Sequence, residues 1–264
     1  MPPTLRSAAG SDVGRRRENN QDSALTSPRM LAVADGMGGH AHGEVASAVA
    51  IAALLDLDAR LRGADLAAVD LLTALREAIE DAASRLTGLA EQNPELRGTG
   101  TTVVAFLVDG TRIGVLHIGD SRAYLLRDGE LHRLTRDHTL VQSLVDEGRI
   151  SEAEAASHPR RSWLVKTLQD SSTPEPDLFH LEGRPGDRYL ICSDGVTGVL
   201  EDSQIHEVLA SVAEPAAAVE QLIAGANAGG GPDNITCIVA DLLEGAVPAD
   251  DTPVVVGSAA TTFH

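Results

Sequence analysis

The chain has 264 residues, with 21 Lys plus Arg against 39 Asp plus Glu and a formal charge of −18. That balance argues against nucleic acid or an anionic membrane as the default partner, because both call for a basic face. With 43 % hydrophobic residues the chain is not disordered, and with 2 % aromatics its core must be built from Ala, Val, Leu and Ile.

In chain order, residues 30–34 form an apolar run that stops at Asp35-Gly36 and reads as a buried strand ending in a turn. Residues 43–62 carry Val45, Val49, Ala52 and Leu55 at helical spacing. Residues 66–89 do the same with Leu66, Val69, Leu72, Leu75, Ile79, Ala83 and Leu86, until Pro94 and Gly98 end the pattern. Residues 101–108, 112–118, 122–127 and 130–134 read as strands of an antiparallel meander, with hairpin signals at Asp109-Gly110 and Asp128-Gly129. Short helices are expected at 140–147 and 151–157. Residues 158–177, with Pro159, Pro174 and Pro176, read as a surface excursion. A strand at 188–192, helices at 203–213 and 215–228 and a last strand at 235–242 follow. Residues 243–264 read as a flexible tail. This is not regular βαβ alternation; it predicts antiparallel sheets with helices stacked outside.

Cys192 and Cys237 are too few for a disulfide framework and lack CxxC spacing, so they read as small buried residues of a reducing compartment. Residues 1–10 contain no apolar signal segment, and no run approaches the roughly 18 apolar residues of a membrane span. The expectation is a cytoplasmic monomer with no nucleic-acid or membrane partner.

Apolar strand ends are followed by an aspartate beside Gly or Asn at Asp35-Gly36, Asp194-Gly195 and Asp233-Asn234, and Asp120 joins two strands. A lone Asp-Gly is usually a turn, which is the reading for Asp109 and Asp128. Carboxylates gathered on a rigid sheet edge repel one another and suit hard cations with oxygen ligands, such as Mg²⁺ or Mn²⁺. A neighbouring glycine lets the backbone come close enough for its carbonyl to ligate.

The segments Arg17-Glu18-Asn19-Asn20-Gln21-Asp22, Asp35-Gly36-Met37-Gly38-Gly39-His40, Gly98-Thr99-Gly100-Thr101-Thr102, Gly119-Asp120-Ser121-Arg122, Ser193-Asp194-Gly195 and Gly231-Pro232-Asp233-Asn234-Ile235-Thr236 occur in this order. The chain thereby resembles the bacterial metal-dependent Ser/Thr protein phosphatases of type 2C, the PPM family, over residues 5–242. The resemblance implies an α+β fold, a four-layer α-β-β-α sandwich of two antiparallel sheets flanked by helices, with a small helical flap at residues 137–168. It implies two or three Mn²⁺ or Mg²⁺ ions, and a hydroxide between two of them that attacks the phosphorus of phosphoserine or phosphothreonine proteins in opposition to a cognate Ser/Thr kinase. By the same resemblance Asp35 bridges two metals, the Gly36 carbonyl binds one of them, Asp194 and Asp233 complete the first site, Asp120 with Asp194 holds a third metal, and Arg17 holds the substrate phosphate. Gln21, Asp22 and Asn234 stand behind these ligands.

Two positions depart from the family pattern. Gln21 replaces the usual Glu and brings no charge, which predicts weaker occupancy of the second metal site. Met37 stands where many members have a proton-donor His, leaving His40 as the candidate donor. In the flap, Trp163 is expected to anchor packing, and Pro159-Arg160-Arg161 to steer an anionic peptide or to solubilise. The alternative function is a pseudophosphatase that binds phosphoproteins without hydrolysis.

Overall fold

The computed structural model describes residues 3–38, 42–170, 175–245 and 251–262. Residues 30–34 show how the molecule is layered: Met30, Ala32 and Ala34 face one apolar cluster, Leu31 and Val33 another. That is the period-two alternation of a strand buried on both faces. The elements in order are β1 (Thr4–Asp12), β2 (Asp22–Thr26), β3 (Met30–Met37), α1 (Gly43–Leu61), α2 (Leu71–Gln92), β4 (Gly100–Thr101), β5 (Val103–Asp109), β6 (Arg112–Ile118), β7 (Arg122–Arg127) and β8 (Glu130–Arg133). Then come α3 (Leu140–Asp146), α4 (Glu152–Ala156), β9 (Leu168–Gln169), β10 (Asp177–Glu182), β11 (Arg188–Cys192), α5 (Asp194–Thr197), α6 (Asp202–Ser211), α7 (Pro215–Ala228), β12 (Ile235–Leu243), β13 (Val254–Gly257) and α8 (Ser258–Thr262).

One antiparallel sheet runs β1-β12-β11-β7-β8 and the other β10-β6-β5-β3-β2-β13, with β4 and β9 continuing beyond β3. Between the sheets lie Leu31, Val33, Val104, Phe106 and Val115 against Tyr189, Ile191, Ile238 and Ala240. The outer face of the second sheet is covered by Ile51 and Leu54 of α1 and Leu75 and Ile79 of α2. The outer face of the first is covered by Ile205, Leu209, Val219 and Leu222 of α6 and α7. This is the four-layer α-β-β-α sandwich expected from the sequence.

Several elements differ from the sequence expectation. β3 runs on through Asp35 and Gly36 to Met37, because the ladder continues onto β4, where Gly36 faces Thr101. The expected meander is split: β5 and β6 belong to one sheet, β7 and β8 to the other, and the chain crosses at Gly119, whose φ of +104° only glycine adopts readily. The helix predicted over 66–89 begins at Leu71, because Asp70 accepts hydrogen bonds from the Leu72 and Thr73 amides. Residues 66–68 form a separate 3₁₀ turn.

The C-terminal segment is not a loose tail where it is described. β13 pairs antiparallel with β2, from Val254 opposite Thr26 to Gly257 opposite Ser23. Ser258 Oγ donates to Asp22 O at 3.0 Å, and Ala259 is fully buried. The physical reason is that β2 would otherwise be a sheet edge with unpaired backbone groups; polarity of the linker concealed the strand. Trp163 is likewise not a packing anchor: it is 55 % exposed, with the Arg160 guanidinium 4.3 Å from its ring centre. Cys192 and Cys237 are free, buried and opposite each other in the β11–β12 pair.

Candidate active site

The strand ends meet at a cleft of about 230 Å³ lined by Arg17, Gln21, Asp35, Gly36, Asp120, Asp194 and Asp233, together with Met37 and Thr102. Asp35 comes from β3, Asp120 from the β6–β7 crossing, Asp194 from the first turn of α5, and Asp233 from the loop before β12. Ser162 and Leu164 of the flap line the same cleft. Sequence separations of up to 216 residues are thus closed by strand pairing; the Arg17 Nη2 to Asp233 Oδ2 contact at 2.7 Å spans that distance.

The backbone that carries the acidic residues is held from behind. Asp35 N donates to Thr102 Oγ1 at 3.0 Å, Thr102 N donates back to Asp35 O at 2.9 Å, and Thr101 Oγ1 donates to the same carbonyl at 2.9 Å. Thr102 Oγ1 in turn meets Ser121 Oγ, next to Asp120, at 2.7 Å. Asp22 Oδ2 accepts from Ser193 Oγ at 2.8 Å, which ties β2 to the residue before Asp194. Asn234 holds the β1–β2 loop at three points: its Oδ1 accepts from Gln21 N at 2.9 Å, and its Nδ2 donates to Val13 O and Asn19 O. Asn234 thereby shapes the loop that carries Arg17 and Gln21. Position 36 has no room for a side chain, since a Cβ there would stand 2.1 Å from Gly43 O.

Three of the cleft carboxylates, Asp35, Asp120 and Asp194, resist ionisation. Burial first, then the neighbouring carboxylates, pushes Asp120 up to about 8 and Asp194 up to about 6, and raises Asp35 well above the ordinary carboxylate value. Burial also pushes Asp22 up to about 7. The Arg17 guanidinium is raised as well, which for a base favours the charged form, chiefly through its hydrogen bond to Asp233.

The cleft contains every site residue expected from the sequence that falls in described segments, either in its lining or directly behind it. His40 lies outside the described residues. His42, just beyond, has Nδ1 3.7 Å from Glu44 Oε1. Sequence reasoning missed Glu44, whose Oε2 accepts from Gln21 Nε2 at 3.2 Å, and it gave no role to Thr101, Thr102, Ser121 or Ser193. Their only sequence signal was membership of the short motifs. Among the described residues, the acidic and histidine side chains whose ligand atoms all lie within 4.8 Å of one another are a different set: His117, His138 and Asp177, beside the flap.

A fold of two stacked antiparallel sheets with strand-end aspartates and a facing arginine defines a class, and the chain belongs to the protein phosphatase 2C family, whose model matches residues 9–226. It is 49 % identical over 258 residues to the serine/threonine protein phosphatase PstP of Mycobacterium tuberculosis, covering 94 % of this chain and 49 % of that protein. It is 35 % identical over 236 residues to the serine/threonine phosphatase stp of Listeria monocytogenes, covering 88 % of this chain and 93 % of that protein. The chain thus spans about half the length of the mycobacterial relative. Among solved structures, the PstP catalytic domain in complex with two manganese ions matches with a TM-score of 0.84 at 47 % identity, covering 92 % of this chain and all of that one. No helix among the described residues is long and apolar enough to cross a membrane.

Proposed function

We propose that this chain hydrolyses phosphoserine and phosphothreonine esters in proteins, using Mn²⁺ or Mg²⁺ held by the strand-end aspartates. The observation that carries the reading is the convergence of Asp35, Asp120, Asp194 and Asp233 with Arg17 on one cleft. The raised ionisation values of Asp35, Asp120 and Asp194 mark a half-buried cluster that needs positive charge, and an all-oxygen donor set suits hard divalent cations. Asp35 would serve two ions, one of them also held by the Gly36 carbonyl, Asp194 and Asp233 would complete the first site, and Asp120 with Asp194 would hold a third ion. Such ions lower the pKa of a shared water toward neutrality and offset charge on phosphoryl oxygens.

Arg17 would receive the substrate phosphate. Its planar fork matches phosphate oxygens, and Asp233 already holds it at the cleft wall. No protein nucleophile is required: the Cys192 thiol is buried in β11 and pushed up to about 12. The two-manganese structure of the PstP catalytic domain supports the metal assignment. We assign the substrates to phosphoproteins made by Ser/Thr kinases, met by this domain in the cytoplasm. The chain's charge of −18 is compatible with anionic substrates once cations reverse the sign of the cleft.

The test is hydrolysis of p-nitrophenyl phosphate and of a phosphothreonine peptide with Mn²⁺, with EDTA, and with Asp35→Asn. Metal-dependent turnover that the substitution abolishes is expected. Phosphopeptide binding without turnover at saturating Mn²⁺ would establish the pseudophosphatase instead.

A further inference from the structure

His138 joins two parts of the site that lie far apart in sequence. It sits where the flap begins, between β8 and α3. Its backbone N–H donates to Gly119 O at 2.8 Å, and its ring Nδ1 accepts from Gly119 N at 3.0 Å. Gly119 is the residue before Asp120. On the other side of the ring, Nε2 stands 3.1 Å from Asp177 Oδ2, while Lys166 Nζ holds the other oxygen of Asp177 at 3.1 Å. The carbonyl of His138 accepts from Val165 N at 2.9 Å. Ser162 and Leu164, which line the cleft, therefore lie on a segment fastened to the same residue.

These contacts fix the tautomer. A backbone N–H can only donate, so Nδ1 presents a lone pair to Gly119, the ring proton is on Nε2, and Nε2–H donates to Asp177. Burial lowers the basicity of His138 and keeps the ring neutral. The β6–β10 register places His117 opposite Asp177. The His117 ring, 1 % exposed, lies against that of His138 with centres 4.6 Å apart and planes 25° from parallel.

His117, His138 and Asp177 also have the composition of a transition-metal site. Neither ring nitrogen of His117 makes a hydrogen bond, although the Ser121 backbone is near enough to favour its charged form slightly. The tautomer of His138 argues against a metal. One nitrogen is engaged by a donor and the other carries the proton, so the ring has no free lone pair to give. Asp177 is already paired with Lys166.

We propose that His138 is a positioning residue for Asp120: it clasps the Gly119-Asp120 turn through Nδ1 and the flap through its carbonyl and Asp177, so that the Asp120 carboxylate is presented to a cation in fixed relation to Ser162 and Leu164. The inference rests on the phosphatase reading above. Groups behind metal ligands set affinity by about tenfold or more when removed, so His138 controls the Mn²⁺ requirement rather than the attachment of the substrate.

The experiment compares His138→Asn, which keeps an acceptor near the Nδ1 position, with His138→Gln, which reaches toward Asp177 but offers Gly119 nothing, and with His138→Leu. Mn²⁺ binding isotherms of the full chain are the primary readout, with p-nitrophenyl phosphate kinetics beside them and melting in EDTA as the fold control. The Asn variant should bind Mn²⁺ within about twofold of wild type. The Gln and Leu variants should weaken the weakest Mn²⁺ site by about tenfold with KM little changed, and this difference should vanish in an Asp120→Asn background. Equal isotherms for Asn, Gln and Leu, or a loss that persists without Asp120, overturn the positioning role. Stoichiometric Zn²⁺ binding that is lost in both His117→Ala and Asp177→Asn overturns it in favour of a metal site. A wild-type chain that binds no Mn²⁺ overturns the phosphatase reading and this inference together, whereas a wild type that binds Mn²⁺ and turns over, with all three variants equal to it, overturns only the inference.

Discussion

Asp22 of β2 and Asp35 of β3 stand directly opposite each other in the antiparallel ladder, a buried carboxylate and a half-buried one on one face of one strand pair. Like charges in that relation destabilise a sheet. Asp22 is partly compensated by Ser193 Oγ at 2.8 Å, and Asp35 has Asp194, Asp120 and Asp233 as further negative neighbours. The pair is therefore tolerable when protonated or when a cation is near, and unfavourable otherwise.

The first prediction concerns pH. In the folded, metal-free chain Asp22, Asp120 and Asp194 ionise near about 7, 8 and 6, above the ordinary carboxylate value of 3.8. Between those limits the folded state holds protons that the unfolded chain has released, so stability falls as pH rises through the window. In EDTA the melting temperature should drop by about 4 °C or more from pH 5.5 to pH 8.5, and Mn²⁺ should restore it most at the higher pH. A flat profile in EDTA would contradict the clustering.

Gln21 places an amide where a carboxylate would bring charge, and its Nε2 is 3.2 Å from Glu44 Oε2. Glu44 brings a negative charge within hydrogen-bonding distance of that amide. Gln21→Glu should lower the Mn²⁺ concentration for half-maximal activity by about fivefold, and Glu44→Gln should raise it by a similar factor. An unchanged Mn²⁺ requirement in Gln21→Glu would remove position 21 from the metal environment.

Arg17 is half-exposed, and Asp233 fixes its guanidinium at 2.7 Å. Arg17→Ala should lower kcat/KM on a phosphothreonine peptide by about 100-fold, the scale for losing a preorganised charged donor. Arg17→Lys should recover only part of this, because an ammonium lacks the fork. Steady-state kinetics at saturating Mn²⁺ separate this from a metal effect; a change in the Mn²⁺ requirement alone would assign Arg17 to Asp233 rather than to phosphate.

Gly257 ends β13 with φ +79°, and a Cβ there would lie 2.2 Å from Asp22 O. Gly257→Ala should cost about 1–3 kcal/mol from backbone strain and should loosen β2 directly behind Asp22. Denaturant unfolding with and without residues 251–264 checks the point. If deletion leaves stability unchanged, the strand contributes nothing to the sheet.

The sequence by itself was enough for the apolar runs, the amphipathic helices, the family and the acidic ligand types. Those depend on residue order within a few positions, where periodicity and turn chemistry act. It could not show that Asp22 faces Asp35, since register follows from the pairing of whole strands and is invisible in either strand alone. β1, β2, β10 and β13 carry weak apolar patterns and gain their backbone partners only in the assembled sheets. Glu44 and His138 were passed over for the same reason: each acts through a neighbour 23 or 19 residues away, Gln21 in one case and Gly119 in the other. The kinds of ligand were written in the chain, but their grouping, their ionisation and the residues that hold them in place arise only when two sheets close over a common edge and exclude water from it.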